Sequence, residues 1–177
     1  MDQRRHPSNN LGNLLQRLSR CHSQNMTKGY LIAGAVTCLL WSAVGSAQDK
    51  GYWRAASNHA NQTTGDIALS DTKLTIDFLS YSLAPIRKLT QIEAGAAFDI
   101  DVNAAGGGNL YRLSIPGDKR FLHHNTLCGS EETQWMATFV QDKTLHVALF
   151  SGATMPVLTG EALSSSNDVC GIFLYDR

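Results

Sequence analysis

The chain carries no net charge: 15 lysines and arginines balance 15 aspartates and glutamates over 177 residues. Binding nucleic acid by neutralising phosphates needs a basic surplus, so this balance argues against that class of partner. The apolar stretch at residues 30–44 is also short. It covers about 15 residues, whereas a bilayer-spanning helix needs about 20. After residue 47 no stretch holds a helical period, and short alternating runs remain. Ser151 lies between Phe150 and Gly152, outside any Gly-x-Ser-x-Gly elbow, and no glycine-rich loop opens a helix as a phosphate site requires. What is present, a 43% hydrophobic chain of this length, suits one ordinary globular domain.

The neutral total conceals an asymmetry. Residues 1–47 hold Arg4, Arg5, Arg17, Arg20 and Lys28 against Asp2, while residues 48–177 hold ten basic and fourteen acidic side chains. Such a split marks a targeting segment ahead of a mature domain. Lys28, the apolar run and the small-x-small tripeptide Gly45-Ser46-Ala47 follow one another in the order of a secretory signal peptide, with cleavage expected after Ala47. A retained anchor and a buried core helix are the alternatives. The expected organisation is a polar basic extension at 1–25, a signal peptide at 26–47 and a mature β domain at 48–177. Translation starts either at Met1 with an extended n-region or at Met26. Leu11, Leu14, Leu15 and Leu18 share one helical face, but a disordered extension is favoured over a membrane-surface helix. Arg4-Arg5 lies too far from the apolar core for twin-arginine export, and Cys38 sits mid-run after Thr37, which disfavours lipid attachment. The expected location is periplasmic or extracellular, with no membrane span in the mature protein.

Removing the leader discards Cys21 and Cys38 and leaves Cys128 and Cys170. One internal pairing remains for an exported chain, so a Cys128–Cys170 disulfide is predicted. Closing a loop of about 43 residues stabilises a fold by about 4 kcal/mol in the chain-entropy model.

The mature segment reads as all-β, an antiparallel barrel or sandwich of about eight strands. Strands are predicted near residues 52–54 and 66–70. Leu74, Ile76 and Phe78 alternate with polar residues before Leu79 and Tyr81 shift phase, as a bulge would produce. Phe98, Ile100 and Val102 alternate with Asp99, Asp101 and Asn103, and a further strand ends in Ile115 before the Pro116-Gly117 turn. Residues 135–140 and 144–150 form the clearest hairpin, and residues 170–175 form the last strand. Apolar residues of both parities in 145–150 and 170–175 place these strands where both faces are covered. Residues 106–108 and 164–167 are read as flexible loops.

Gly51-Tyr52-Trp53 resembles the Gly-x-Trp motif on the first strand of lipocalins, where the tryptophan closes the barrel floor. That resemblance implies an apolar ligand, with Trp53, Trp135, Phe139 and Phe150 as lining. The sequence shows no second motif and no helix packed against the barrel near its end, so a structural tryptophan is the favoured role. Asp99-x-Asp-x-Asn103 opens like a calcium loop, but Ala104 and Leu110 occupy the positions of its glycine and glutamate. A solvated strand face is expected there. His123 and His124 would point to opposite faces of a strand, and nothing in the spacing brings in His59 or His146, so no metal site is expected. Asp66, Asp77, Glu93, Glu131 and Glu132 are a carboxylate set that any domain of this size supplies.

The expectation is an exported binding module without cofactor, taking a small apolar molecule or an envelope or extracellular protein, in the manner of an inhibitor. Candidate binding residues are Trp53, Tyr81, Arg87, His123, His124, Glu131 and Trp135, with Lys88 beside Arg87; most lie in loops at the end of a rigid sheet, where recognition concentrates. The alternatives are a small periplasmic hydrolase with a carboxylate and histidine site, and a structural envelope protein.

Overall fold

The computed structural model describes residues 49–177, all within one compact unit. The extension at 1–25, the signal peptide at 26–47 and both leader cysteines lie outside the described residues. Among the described residues no helix is long and apolar enough to cross a membrane.

Among the described residues nine strands form one antiparallel sheet: β1 (Gly51–Ala55), β2 (Ile67–Leu69), β3 (Lys73–Ile76), β4 (Leu79–Ser82), β5 (Ala84–Lys88), β6 (Gly107–Ile115), β7 (Thr133–Gln141), β8 (Thr144–Phe150) and β9 (Val169–Asp176). Their order is β4-β3-β2-β1-β9-β8-β7-β6-β5. β1 joins the two halves, because Gly51, Tyr52 and Trp53 pair with β2 while Arg54 and Ala55 pair with β9. The all-β expectation holds, with nine strands in place of about eight. The barrel and the sandwich are both corrected, since the described residues form one sheet and no ladder among them closes it. Its edges, β4 and β5, are consecutive in the chain and separated by Leu83 alone. β5 carries Pro85, which has no N–H to donate, and its pairing with β6 shifts register between Pro85 and Arg87. Both features suit an edge strand and oppose closure.

One sheet face packs the main core, with Trp53, Leu74, Met136, Phe173 and Tyr175 among its fully buried side chains. β6 to β8 are covered on the other face as well, by α2 (Gln91–Phe98) and α3 (Gly160–Ser165), whereas Ile172 of β9 is 44% exposed, so the expectation that both faces of 170–175 are covered is corrected. This explains the double parity of β8: Leu145, Val147 and Leu149 enter the main core, whereas Ala148 and Phe150 enter the second cluster with Phe98, Trp135 and Phe139.

Three sequence expectations are corrected. Residues 98–103 do not form a strand. Thr90 accepts from the Glu93 amide while Glu93 accepts from the Thr90 amide, a capping box that starts α2. The helix runs through Ala94 and Ala97 to Phe98, and Asp99 caps it in left-handed backbone, φ 54°. The Asp101 carboxylate then accepts from the Asn103 amide at 2.8 Å in a turn, so the expected solvated strand face is not formed there. Second, the phase shift after Ile76 is a two-residue hairpin turn rather than a bulge, as Ile76 pairs with Leu79 across Asp77-Phe78. Third, residues 107 and 108 belong to β6, and Ser164 and Ser165 to α3, rather than to loops, and α3 is a helix packed near the chain's end where none was expected. The predicted β7–β8 hairpin forms with Gln141 opposite Thr144. A disulfide joins Cys128, ahead of β7, to Cys170 in β9.

Candidate functional site

Two rims of the sheet carry features that folding alone does not require. At the β3–β4 turn, Asp77 and Phe78 both hold left-handed backbone, φ 48° and 61°. Such turns favour Asn-Gly or Asp-Gly, because glycine meets no Cβ penalty there. Phenylalanine sits where glycine belongs, and the residue is 99% exposed. Beside it lies a cavity of about 280 Å³ lined in part by Tyr52, Asp66, Ile67, Thr75 and Leu122. Tyr52 is 59% exposed and donates its hydroxyl to Asp66, whose other oxygen accepts from the Ala55 amide at 2.9 Å. That hydroxyl contact raises the Tyr52 pKa and, with the Ala55 amide, lowers that of Asp66. Leu122 opens a 3₁₀ turn, Leu122–His124, that packs against α1 (Asn58–Thr63), where Asn125 donates to the Gln62 carbonyl at 2.9 Å. His123 and His124 follow in left-handed backbone, φ 54° and 62°, and are exposed.

At the other end of β3, a cavity of about 420 Å³ opens between the β2–β3 turn and the β5–β6 ladder. Asp49, Lys50, Asp71, Lys88, Asn109 and Tyr111 contribute to its wall. Asp49 is 3% exposed, and its Oδ2 accepts from Asn109 Nδ2 at 2.7 Å, Tyr111 Oη at 2.5 Å and Thr138 Oγ1 at 3.0 Å. Burial, then this contact with Asp49, pushes the Tyr111 hydroxyl well above its ordinary pKa. Lys50 pairs with Asp71.

The residues expected from the sequence do not converge. Trp53 is fully buried, donates its indole N–H to the Asp49 carbonyl at 2.8 Å and lies 4.1 Å beneath the Arg177 guanidinium. Trp135 is buried in the second cluster with Arg112 4.7 Å over its ring and, among the described residues, no acceptor for its N–H. Tyr81 is half-buried against the core, edge-on to Phe121, and burial raises its unpartnered hydroxyl's pKa, helped by Asp77. Arg87 is taken up by an ion pair with Glu93. Glu131 is exposed in the loop after Cys128. Lys88 alone of the group faces the larger cavity. His59 stacks on Phe173 at 4.2 Å, and His146 lies 5.6 Å from Phe98, where burial lowers its pKa. Among the described residues no three His, Cys, Asp or Glu side chains gather as a metal site.

Sequence reasoning missed Phe78 and Asp49. Phe78 had a signal, since the alternating run breaks at Asp77-Phe78 where a turn dipeptide would end in glycine. Asp49 had none, because its partners lie 60 to 89 residues away. Compared with known proteins, the chain matches no family model, no curated protein and no solved structure.

Proposed function

We propose that residues 48–177 form an exported binding module, without cofactor, that recognises an envelope or extracellular protein through the β3–β4 hairpin tip in the manner of an inhibitor. The observation that carries this reading is Phe78. A non-glycine residue in left-handed backbone costs about 1–2 kcal/mol, and a side chain in open solvent recovers none of it by packing. Asp77 adds a smaller cost of the same kind, aspartate being better tolerated there. A hairpin tip that is poor for stability and presents a large ring suits an anchor for a partner's apolar pocket, since buried aromatic anchors dominate protein interfaces. Exposed Tyr52 and Leu79 widen the apolar rim around it.

Export is supported by the order of charge, apolar run and small residues in the leader, and by the Cys128–Cys170 bridge, which suits an oxidising compartment. A protein target is preferred to a small apolar one because Trp53, Phe173, Tyr175 and their neighbours fill the inner face of the sheet. A hydrolytic site is disfavoured because the histidines are dispersed, two of them against phenylalanine rings.

The test is photo-cross-linking in the native host. A benzoylphenylalanine at position 78 of the full-length chain should yield a discrete adduct with an envelope or extracellular protein. The same group at Asp142, an exposed turn residue between β7 and β8, should not. No adduct at 78, or the same adduct from both positions, contradicts the reading.

A further inference from the structure

We infer that the cavity between the β2–β3 turn and the β5–β6 ladder binds a small zwitterion, with its ammonium on Asp49 and its carboxylate on Lys88. The site owes nothing to Phe78 and stands apart from the hairpin proposal.

Asp49 sets the inner end. All three of its side-chain hydrogen bonds fall on Oδ2, while Oδ1 accepts none among the described residues. Although Asp49 is only 3% exposed, Oδ1 is not one of the buried side-chain atoms left without a partner, so it keeps a solvent-reachable face that a donor entering the cavity can meet. The group is also fixed in place, because its donors come from two adjacent strands, Asn109 and Tyr111 on β6 and Thr138 on β7. Tyr111 commits its only hydroxyl proton to Asp49 and its oxygen is engaged by the Asn109 amide, while Asn109 retains its own amide oxygen as an acceptor. The wall around Asp49 is therefore rich in acceptors, and a matching ligand brings donors. An ammonium brings three.

Lys88 sets the outer end. Lys50 is neutralised by Asp71, whereas Lys88 has no ion-pair partner among the described residues, and it is exposed at the cavity wall. A simple amine would meet Asp49 favourably and Lys88 unfavourably, and a simple carboxylate would meet the reverse. A molecule carrying both charges satisfies both ends. The cavity volume of about 420 Å³, bounded on one side by the side-chain-free Gly106, Gly107 and Gly108, admits something the size of an amino acid or dipeptide.

The test uses the protein as exported and processed by its host, ¹⁵N-labelled, with the Asn109 side-chain amide followed by NMR. Probes are 6-aminohexanoate and glycylglycine, with hexanoate and hexylamine as single-charge controls. At least one zwitterion should give a saturable shift below about 10 mM, with both controls at least about tenfold weaker. Lys88→Gln removes an exposed side chain without touching the Asp49 network. It should weaken the zwitterion about tenfold and bring hexylamine to equal or better affinity than the zwitterion, since the repulsion is gone. Phe78→Gly should leave all of this unchanged. No saturable shift with either zwitterion, or the same ranking of probes in wild type and Lys88→Gln, overturns the assignment.

Discussion

Arg87 grips Glu93 with both guanidinium nitrogens, Nη1 to Oε2 at 2.8 Å and Nη2 to Oε1 at 2.6 Å, across the corner where edge strand β5 turns into α2. The same carboxylate closes the capping box on Thr90. The Arg87 guanidinium, with the Thr90 amide and hydroxyl, lowers the Glu93 pKa from 4.5 to about 2. A carboxylate whose pKa is lowered on folding contributes its full stabilisation above the unfolded value and loses it as pH falls through the folded one. Stability from this pair should fade between about pH 4.5 and pH 2. Both side chains are partly exposed, at 35% and 20%, so solvent screening keeps the contribution modest. Glu93→Gln should cost about 1 kcal/mol at neutral pH and nearly nothing at pH 2, read by urea denaturation at both pH values.

Gly108 is held to glycine by its neighbour across the ladder. A Cβ there would lie 2.2 Å from the Thr138 carbonyl oxygen, a backbone atom that cannot rotate away. Gly108→Ala should destabilise the domain by about 2 kcal/mol or more, because β6 must shift relative to β7. Gly160→Ala meets nothing within 4 Å and should change stability by less than about 0.5 kcal/mol. Thermal denaturation of the two variants gives the comparison.

Reduction of Cys128–Cys170 releases a loop whose ends are 42 residues apart in sequence. The chain-entropy model assigns this closure about 4 kcal/mol, so reductant should lower the melting temperature by about 15 °C for a domain of this size. The double variant Cys128→Ser with Cys170→Ser should match the reduced wild type and show no further response to reductant.

Much of the sheet was legible because its cause is local. Two β-rich runs, 135–140 and 144–150, joined by a short turn located β7 and β8, and double parity in 145–150 announced that both of β8's faces are covered. α2 was hidden because Phe98, Ile100 and Val102 mimic a period of two while the signal that wins, the Thr90–Glu93 capping box, lies eight residues upstream of Phe98. Closure could not be read either. It depends on whether two edge strands far apart in the sheet order pair, and Pro85 speaks for β5 alone. The candidate sites divide in the same way: Phe78 departs from a local turn rule, whereas the Asp49 network exists only once β6 and β7 are beside the start of β1.

The hairpin account is tested most directly by Phe78→Gly, measured for affinity toward the protein cross-linked at position 78 and checked against its melting curve. Glycine relieves the left-handed strain, so the variant should gain about 1 kcal/mol of stability and lose at least about tenfold in affinity. A variant that binds as tightly as wild type would contradict the claim that this ring is kept at the tip for recognition.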